Sequence, residues 1–226
     1  MSNRILRIVL LLASVSIVLT PVFLGAEAMY SGSPPDGRTG APEETLCLGC
    51  HSTYDPNSGD GSLQINVPDA VMAGQPTTIT VVLEDPGQSR WGFEMTVINS
   101  VWDGVGAFTI TDAVNTQLSD NAEPARDYVK HTTAGTYAGT ADGPVEWSVE
   151  YTPSSDFPAE SFFDVYVAGN AANNDGSSGG DYIYTANKRV NLTAMGVPSS
   201  SPIGLIVLTV FLVLTAFYIL TRRLAH

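Results

Sequence analysis

The pentapeptide CLGCH at residues 47–51 holds the side chains of this sequence that are best suited to chemistry. It contains Cys47, Cys50 and His51, and these two cysteines are the only ones among 226 residues. Two intervening residues place the thiols one helical turn apart, and the imidazole follows at once. This spacing is typical of covalent haem c attachment, in which the thiols bond the vinyl groups and the imidazole binds the iron. We therefore predict one covalent haem c, held by Cys47 and Cys50, with His51 as the proximal ligand.

Two other chemistries remain open for the same residues. A disulfide between Cys47 and Cys50 suits an oxidising compartment, but it leaves His51 without a role. A zinc ion needs four ligands, and His131 could complete a set with the three residues of the motif. Adjacent ligands such as Cys50 and His51 are awkward in a tetrahedral site, and the chain has no second CxxC. The pattern favours haem over both alternatives.

The second axial ligand of the iron must come from elsewhere in the chain. His131, in DYVKHTTAG, is one of three histidines, and the third, His226, follows the C-terminal apolar segment. We predict His131 as the distal ligand and Met95 as the alternative, because thioether ligands are common in small cytochromes. In RWGFEMTVI, Met95 lies on the same strand face as Trp91, Phe93 and Val97, so it also fits a position in the core. Met72 is a third and less favoured candidate ligand. An open coordination site would instead indicate sensing or peroxide chemistry.

The first 28 residues have the composition of a targeting segment. Arg4 and Arg7 are followed by a long apolar stretch and by the small-x-small sequence AEA. This order is typical of a secretory signal peptide. We predict cleavage after Ala28, with an uncleaved membrane anchor as the alternative, and in both cases the following domain is exported.

The C-terminal residues predict one membrane crossing. Residues 203–221 carry no charge and are long enough to span the hydrocarbon core as a helix, and residues 195–202 read as a linker. Arg222 and Arg223 follow, and such basic pairs favour the cytoplasmic side, where we place the tail at 222–226. We expect a single-pass protein of the inner (cytoplasmic) membrane, with its domain on the periplasmic or extracellular side.

The domain between the apolar ends is strongly acidic. Residues 29–201 contain 22 Asp and Glu against six Lys and Arg, a difference of −16. Without a basic patch, a nucleic-acid partner is excluded. The acidity is typical of a solvated exported surface, and it could also steer a basic redox protein or another cytochrome to the domain.

The middle of the chain shows the alternation of β-strands. In VEWSVEYT, Val145, Trp147, Val149 and Tyr151 alternate with polar residues, which predicts a half-buried strand. Further strand candidates are RWGFEMTVI, TTITVVLE, GAFTIT, FFDVYVAGN and YIYTANKRVNLT, separated by turns rich in Gly, Pro, Asn and Asp. We predict an all-β fold over residues 62–194, an antiparallel β-sandwich of immunoglobulin-like type.

A Gly- and Pro-rich lead-in at residues 29–61 precedes this sandwich and carries the CLGCH motif. A proline and two acidic residues in APEET, at 41–45, predict the first turn of a short helix. That helix would present Cys47, Cys50 and His51 on one turn.

The polar stretch NAANNDGSSGGD at residues 170–181 is a second candidate for a metal site. Asn173, Asp175 and Asp181 could gather around Ca²⁺, whose preferred ligands are oxygens. Their spacing does not fit an EF-hand loop, so turn formation is the better interpretation.

Six segments, taken in order, resemble one known family. They are GRTGAPEETLCLGCH, GFEMTVI, GAFTIT, VKHTTAGT, VEWSVEYTP and NAANNDGSSGGDYIYT. They resemble the exported bacterial family called choice-of-anchor V, whose body is similar to the Reeler (reelin-like) domain, over residues 32–192. The resemblance implies a β-sandwich behind a Gly-rich lead-in with a CxxCH motif, and a variable C-terminal anchor. It matches Cys47, Cys50 and His51 to that motif and His131 to the histidine of a KHT-like segment.

Together, these patterns predict a membrane-anchored, extracytoplasmic mono-haem c-type cytochrome. With His51 and His131 on the iron, no coordination site stays open, which favours a carrier of single electrons over an enzyme. The alternatives are an exported interaction or adhesion module with a structural Cys47–Cys50 pair, and a haem-based sensor.

Overall fold

The computed structural model describes residues 30, 32–99, 106–119, 126–156, 161–193 and 210. The predicted signal peptide, linker, transmembrane helix and cytoplasmic tail lie outside these residues, apart from Val210. Within the described residues, no helix has the length and apolar character needed to cross a membrane.

In the described part of the chain, ten strands form two sheets. They are β1 Ser62–Asn66, β2 Ala70–Met72, β3 Thr77–Glu84, β4 Arg90–Ile98, β5 Gly106–Thr109, β6 Thr116–Ser119, β7 Tyr128–His131, β8 Val145–Pro153, β9 Phe162–Ala172 and β10 Tyr182–Thr193. One sheet has four strands in the order β1-β3-β8-β5, and the other has six in the order β2-β10-β9-β4-β7-β6. The predicted all-β, two-sheet fold is therefore confirmed.

One strand pair corrects the prediction of a wholly antiparallel sandwich. Residues Ala70–Met72 of β2 pair in parallel with Asn191–Thr193 of β10, whereas the other described pairs are antiparallel. The chain leaves β1 in the four-stranded sheet and crosses to the edge of the six-stranded sheet, where it runs in the direction of β10. A parallel edge pairing of only three residues has no local sequence signature.

The core lies between the two sheets, as strand alternation requires. Val145, Trp147, Val149 and Tyr151 of β8 are all buried, as predicted, while the residues between them are more exposed. They pack in one apolar cluster with β4, β9 and β10 side chains such as Phe163. Fully burying a side chain of this kind stabilises the fold by about 1.5–3 kcal/mol.

Strand β4 is buried on both faces, which the one-sided alternation of RWGFEMTVI did not predict. The lead-in covers the face of the six-stranded sheet that points away from the core. The Glu94 carboxylate accepts a hydrogen bond from the Arg38 backbone N–H. On β7, the Lys130 ammonium donates to the Pro34 carbonyl at 3.0 Å, and the Tyr128 hydroxyl donates to Glu44 at 2.8 Å. The lead-in is therefore part of the fold and builds a second, polar layer.

The helix expected from residue 41 onward is not formed. Glu43 has a φ of 68°, which ends any helical path there, and the residue before Cys47 is extended. The Glu44 carboxylate, which would belong to the first helical turn, instead accepts hydrogen bonds from Thr39 and Arg126. Only a single 3-10 turn remains, at Cys47–Gly49.

Candidate functional site

The CLGCH motif opens onto a cavity of about 280 Å³ on the outer side of the six-stranded sheet. Both cysteines and both described histidines line this one cavity, although His131 is 80 residues from His51 in the chain. The wall also includes Tyr30, Pro34, Pro35, Arg38, Leu46, Arg90, Trp91, Phe93 and residues of the 170–181 stretch. The predicted proximal and distal ligands are therefore brought to the same place.

The floor of the cavity is made by two cross-strand pairs of β4 and β9. Gly92 lies opposite Asn170, and Arg90 lies opposite Ala172. A Cβ atom on Gly92 would come within 2.8 Å of Cε1 of His131. A glycine is required here because the imidazole rests directly on the strand backbone.

The motif itself forms one tight turn. The backbone N–H groups of Cys50 and His51 both donate to the Cys47 carbonyl, at 3.2 and 3.1 Å. Cys47 is half-buried, Cys50 is exposed, and both are free thiols. Burial, with a smaller contribution from the Glu94 carboxylate, raises the pKa of Cys47 to about 12. This thiol is therefore protonated at neutral pH, which makes it a weak nucleophile and a weak zinc ligand.

His51 is fixed by a buried carboxylate. Its Nδ1 lies 2.6 Å from Oδ2 of Asp181, whose side chain is only 1% exposed. A carboxylate can only accept, so Nδ1 donates to it, and in the neutral ring this arrangement places the lone pair on Nε2. The Asn170 amide nitrogen lies 3.3 Å from that Nε2 atom. An imidazole held by a carboxylate in this way is the usual state of a metal-ligating histidine.

His131 ends β7 and is buried, with only 7% of its surface exposed. Its Nδ1 atom lies 3.0 Å from the backbone nitrogen of Phe93 and 3.2 Å from the Phe93 carbonyl oxygen. Burial lowers the pKa of His131 to about 4, the Phe93 backbone opposes this, and the Arg90 charge adds to it. The imidazole is therefore neutral at pH 7. When Nδ1–H donates to the carbonyl, Nε2 is free to bind a metal.

The alternative ligands are placed elsewhere. Met95 is buried in the core between the sheets, with 1% exposure, and does not line the cavity. Met72 is 44% exposed on β2. Among the described residues, no three His, Cys, Asp or Glu side chains are grouped as a metal site, so the zinc set of Cys47, Cys50, His51 and His131 is not assembled.

The 170–181 stretch forms hydrogen-bonded turns in place of a calcium loop. The Asn173 amide donates to Asp175 at 3.3 Å, and the Asp175 backbone N–H donates to Asn173 at 2.9 Å. The Asp181 carboxylate joins this turn to the motif, because Oδ1 accepts from the Asn173 backbone N–H and Oδ2 lies 2.6 Å from Nδ1 of His51. The sequence does not indicate the contact between Asp181 and His51, because nothing local links residue 181 to residue 51.

Asp181→Ala is expected to change the tautomer of His51. Without the acceptor, the proton is no longer held on Nδ1, and the buried hydrogen bonds that are lost cost about 1–3 kcal/mol of unfolding free energy. Ring ¹⁵N NMR on the chain carrying Cys47→Ser and Cys50→Ser measures the tautomer with nothing attached. Asp181→Asn keeps the shape and an acceptor, so it serves as the milder control. A spectrum of His51 that does not change in Asp181→Ala would contradict the assignment.

The comparisons of this chain with known proteins bear on its fold and not on its function. No family model matches the chain, and no curated protein matches it significantly. The Reeler domain of human F-spondin aligns with 63% of this chain and 96% of its own, at 17% identity and a TM-score of 0.40. A cohesin module of a Clostridium perfringens family 33 glycoside hydrolase aligns with 60% of this chain and 98% of its own, at 15% identity and a TM-score of 0.44. The class of protein is a two-sheet β-sandwich, and that statement rests on the strand pairing given above.

Proposed function

We propose that this protein holds one covalent haem c in the cavity beside the CLGCH motif and passes single electrons. One observation carries the proposal. Two imidazoles from distant parts of the chain line the same cavity as both cysteines. Nδ1 of His51 has the Asp181 carboxylate as its acceptor. Nδ1 of His131 can either accept from the Phe93 N–H or donate to the Phe93 carbonyl, and the second arrangement is the tautomer that binds a metal through Nε2. This leaves the two Nε2 atoms as the groups that bind iron.

The residues present fit such a group. Cys47 and Cys50 would form the two thioether bonds, since they lie on one turn at the mouth of the cavity. His51 and His131 would be the axial ligands. At the floor, Ala172 offers a methyl group to a flat ring, and the His131 imidazole covers the Gly92 backbone. The Asn170 amide, now beside Nε2 of His51, would give up that contact.

Several described residues support electron transfer over substrate chemistry as the proposal. When bound, the haem supplies the one-electron redox couple. The protein positions His51 through Asp181 and keeps His131 neutral by burial, and the apolar residues Pro34, Pro35 and Leu46 line the cavity. Two strong axial ligands leave no position for a substrate, so we propose a carrier rather than an enzyme.

The location and partners of this carrier follow from the sequence. We propose that a signal peptide at residues 1–28 exports the domain and that a helix at 203–221 anchors it in the cytoplasmic membrane. The domain would then work on the outer face of that membrane. Its acidic surface suits a basic redox protein as the electron partner.

The test is to express the full chain in a host with haem-attachment machinery and measure its mass and its spectrum after acid–acetone extraction. We expect the polypeptide to gain the mass of one haem that extraction does not remove. The variant with Cys47→Ser and Cys50→Ser is the control and should lose the covalent group. A wild-type chain that is lighter by two hydrogens, without haem, would point to a structural disulfide and an interaction module.

A further inference from the structure

The few cations of the acidic domain divide into two groups. All six Lys and Arg of residues 29–201 are described. Four of them form ion pairs, namely Arg126 with Glu44, Lys130 with Asp36, Lys188 with Asp69 and Arg189 with Asp164. Arg38 and Arg90 have no carboxylate partner among the described residues, and both line the cavity beside the CLGCH motif.

Among the residues that the structure describes, the hydrogen bonds of both guanidinium groups go to neutral oxygen atoms. Nη1 of Arg38 donates to the Thr45 hydroxyl, and Nη1 of Arg90 lies 3.5 Å from the Asn174 side-chain oxygen. A guanidinium has five N–H donors, so most of its hydrogen-bonding capacity remains for a ligand.

Each of the two arginines also lies within electrostatic range of a residue that lines the cavity. Burial is the main cause of the raised pKa of Cys47, and Arg38 is among the groups that oppose it. Burial likewise dominates the lowered pKa of His131, and Arg90 is the first charge that adds to it. One cation is therefore near Cys47, and the other is near His131.

In a domain with 22 acidic residues and six cations, a basic side chain finds a carboxylate easily. Two unpaired arginines on one cavity therefore indicate that their partners belong to the ligand. Arginine matches a carboxylate with two parallel hydrogen bonds, and such charge-assisted pairs are about twice as strong as neutral ones. We propose that Arg38 and Arg90 bind the carboxylate groups of the cavity's ligand, one each. Since this rests on the proposed function, the ligand is the porphyrin and the carboxylates are its two propionates.

The arginine pair would orient the ring before the thioether bonds form. The four attachment points on the protein, two thiols and two imidazoles, fix the iron and the vinyl side. The two guanidinium groups would bind the propionates, which lie together on the other edge of the ring, and so favour one orientation of the ring. Each pair in a partly buried site strengthens binding by about tenfold or more.

The experiment compares iron protoporphyrin IX with its dimethyl ester, which lacks the carboxylates. Binding is measured by quenching of tryptophan fluorescence in the full chain carrying Cys47→Ser and Cys50→Ser, solubilised in mild detergent. We expect the diacid to bind about 10–100-fold more tightly than the ester. Adding Arg38→Gln and Arg90→Gln should remove that preference and leave the affinity for the ester unchanged. Each single variant should remove part of the preference.

A matched control changes two cations outside the cavity, Lys188→Gln with Arg189→Gln, and should keep the preference for the diacid. Equal affinity for diacid and ester in the parent chain would overturn the arginine assignment while leaving the haem site standing. Loss of the preference for the diacid in this control would also overturn the arginine assignment. Net charge alone would then explain the preference. A preference that depends on one arginine only would overturn the one-each pairing. Failure of every chain to bind either porphyrin, with folding verified by circular dichroism, would overturn both the inference and the proposed function.

Discussion

Replacing His131 with alanine is expected to convert the haem-loaded protein from a low-spin to a high-spin spectrum. On the proposed function, His131 supplies one of two strong axial ligands, and its removal leaves the iron with His51 alone. The substitution also opens space above Gly92, where the imidazole now rests on the β4 backbone. Added imidazole should enter this space and restore the low-spin spectrum. Absorbance of the oxidised protein, with and without imidazole, is the measurement.

Met95→Leu is the matched control for this experiment. Met95 is the alternative thioether ligand, but it packs in the core, so the change to leucine should leave the spectrum low-spin. A low-spin spectrum that survives His131→Ala and disappears in Met95→Leu would reverse the ligand assignment. His131→Ala also deprives the buried Phe93 backbone of its side-chain partner, which costs about 1–3 kcal/mol of unfolding free energy. The haem-free protein should therefore be less stable as well.

The second large effect concerns Glu94, the buried carboxyl beneath the lead-in. Its side chain is fully buried, and Oε1 has no hydrogen-bond partner among the described residues. Lys130 is the nearest cation, with its ammonium 4.0 Å from that oxygen. Burial raises the pKa of Glu94 from its ordinary value of 4.5 to about 8, although the Arg38 backbone and the Lys130 charge oppose the rise.

The direction of the pH effect follows from this raised pKa. The folded state holds the Glu94 proton more tightly than the unfolded state, so the group favours folding most below pH 4.5. That advantage is lost progressively as the pH rises and is gone above about pH 8. One pKa unit corresponds to about 1.36 kcal/mol, so the whole change amounts to about 5 kcal/mol. Glu94→Gln cannot ionise and should lack this decline.

The measurement is urea unfolding of the haem-free wild type and of Glu94→Gln between pH 4 and pH 9. We expect the free energy of unfolding of the wild type to fall relative to that of Glu94→Gln as the pH rises. A difference that is the same at every pH, caused by the amide itself, does not affect this comparison. Glu146→Gln, at an exposed position of β8, makes the same chemical change in a solvated place and should track the wild type. Parallel curves for the wild type and Glu94→Gln would show that Glu94 is ionised in the folded protein at neutral pH.

The strands of the core could be predicted because their pattern is local. Alternation in TTITVVLE, RWGFEMTVI and YIYTANKRVNLT gave the bounds of β3, β4 and β10 to the residue. In each of these strands, one face packs against the other sheet and must be apolar. Apolar residues therefore occur at every second position along the strand. Short edge strands such as β2 and β6 have too few residues to carry the pattern, and they were missed.

The sequence by itself determined the all-β class and the position of the CLGCH turn, since both depend on residue types and near spacing. It also gave the candidate pair His51 and His131, because the chain has only three histidines. Only the tertiary structure decided that both histidines meet at one cavity, that Asp181 holds His51, and that Arg38 and Arg90 lack carboxylate partners there. The reason is physical. These contacts join residues 80 to 130 positions apart, and such partners are set by how the lead-in and the 170–181 turns pack on the outer face of the sheet. That packing cannot be predicted from a periodic pattern in the sequence.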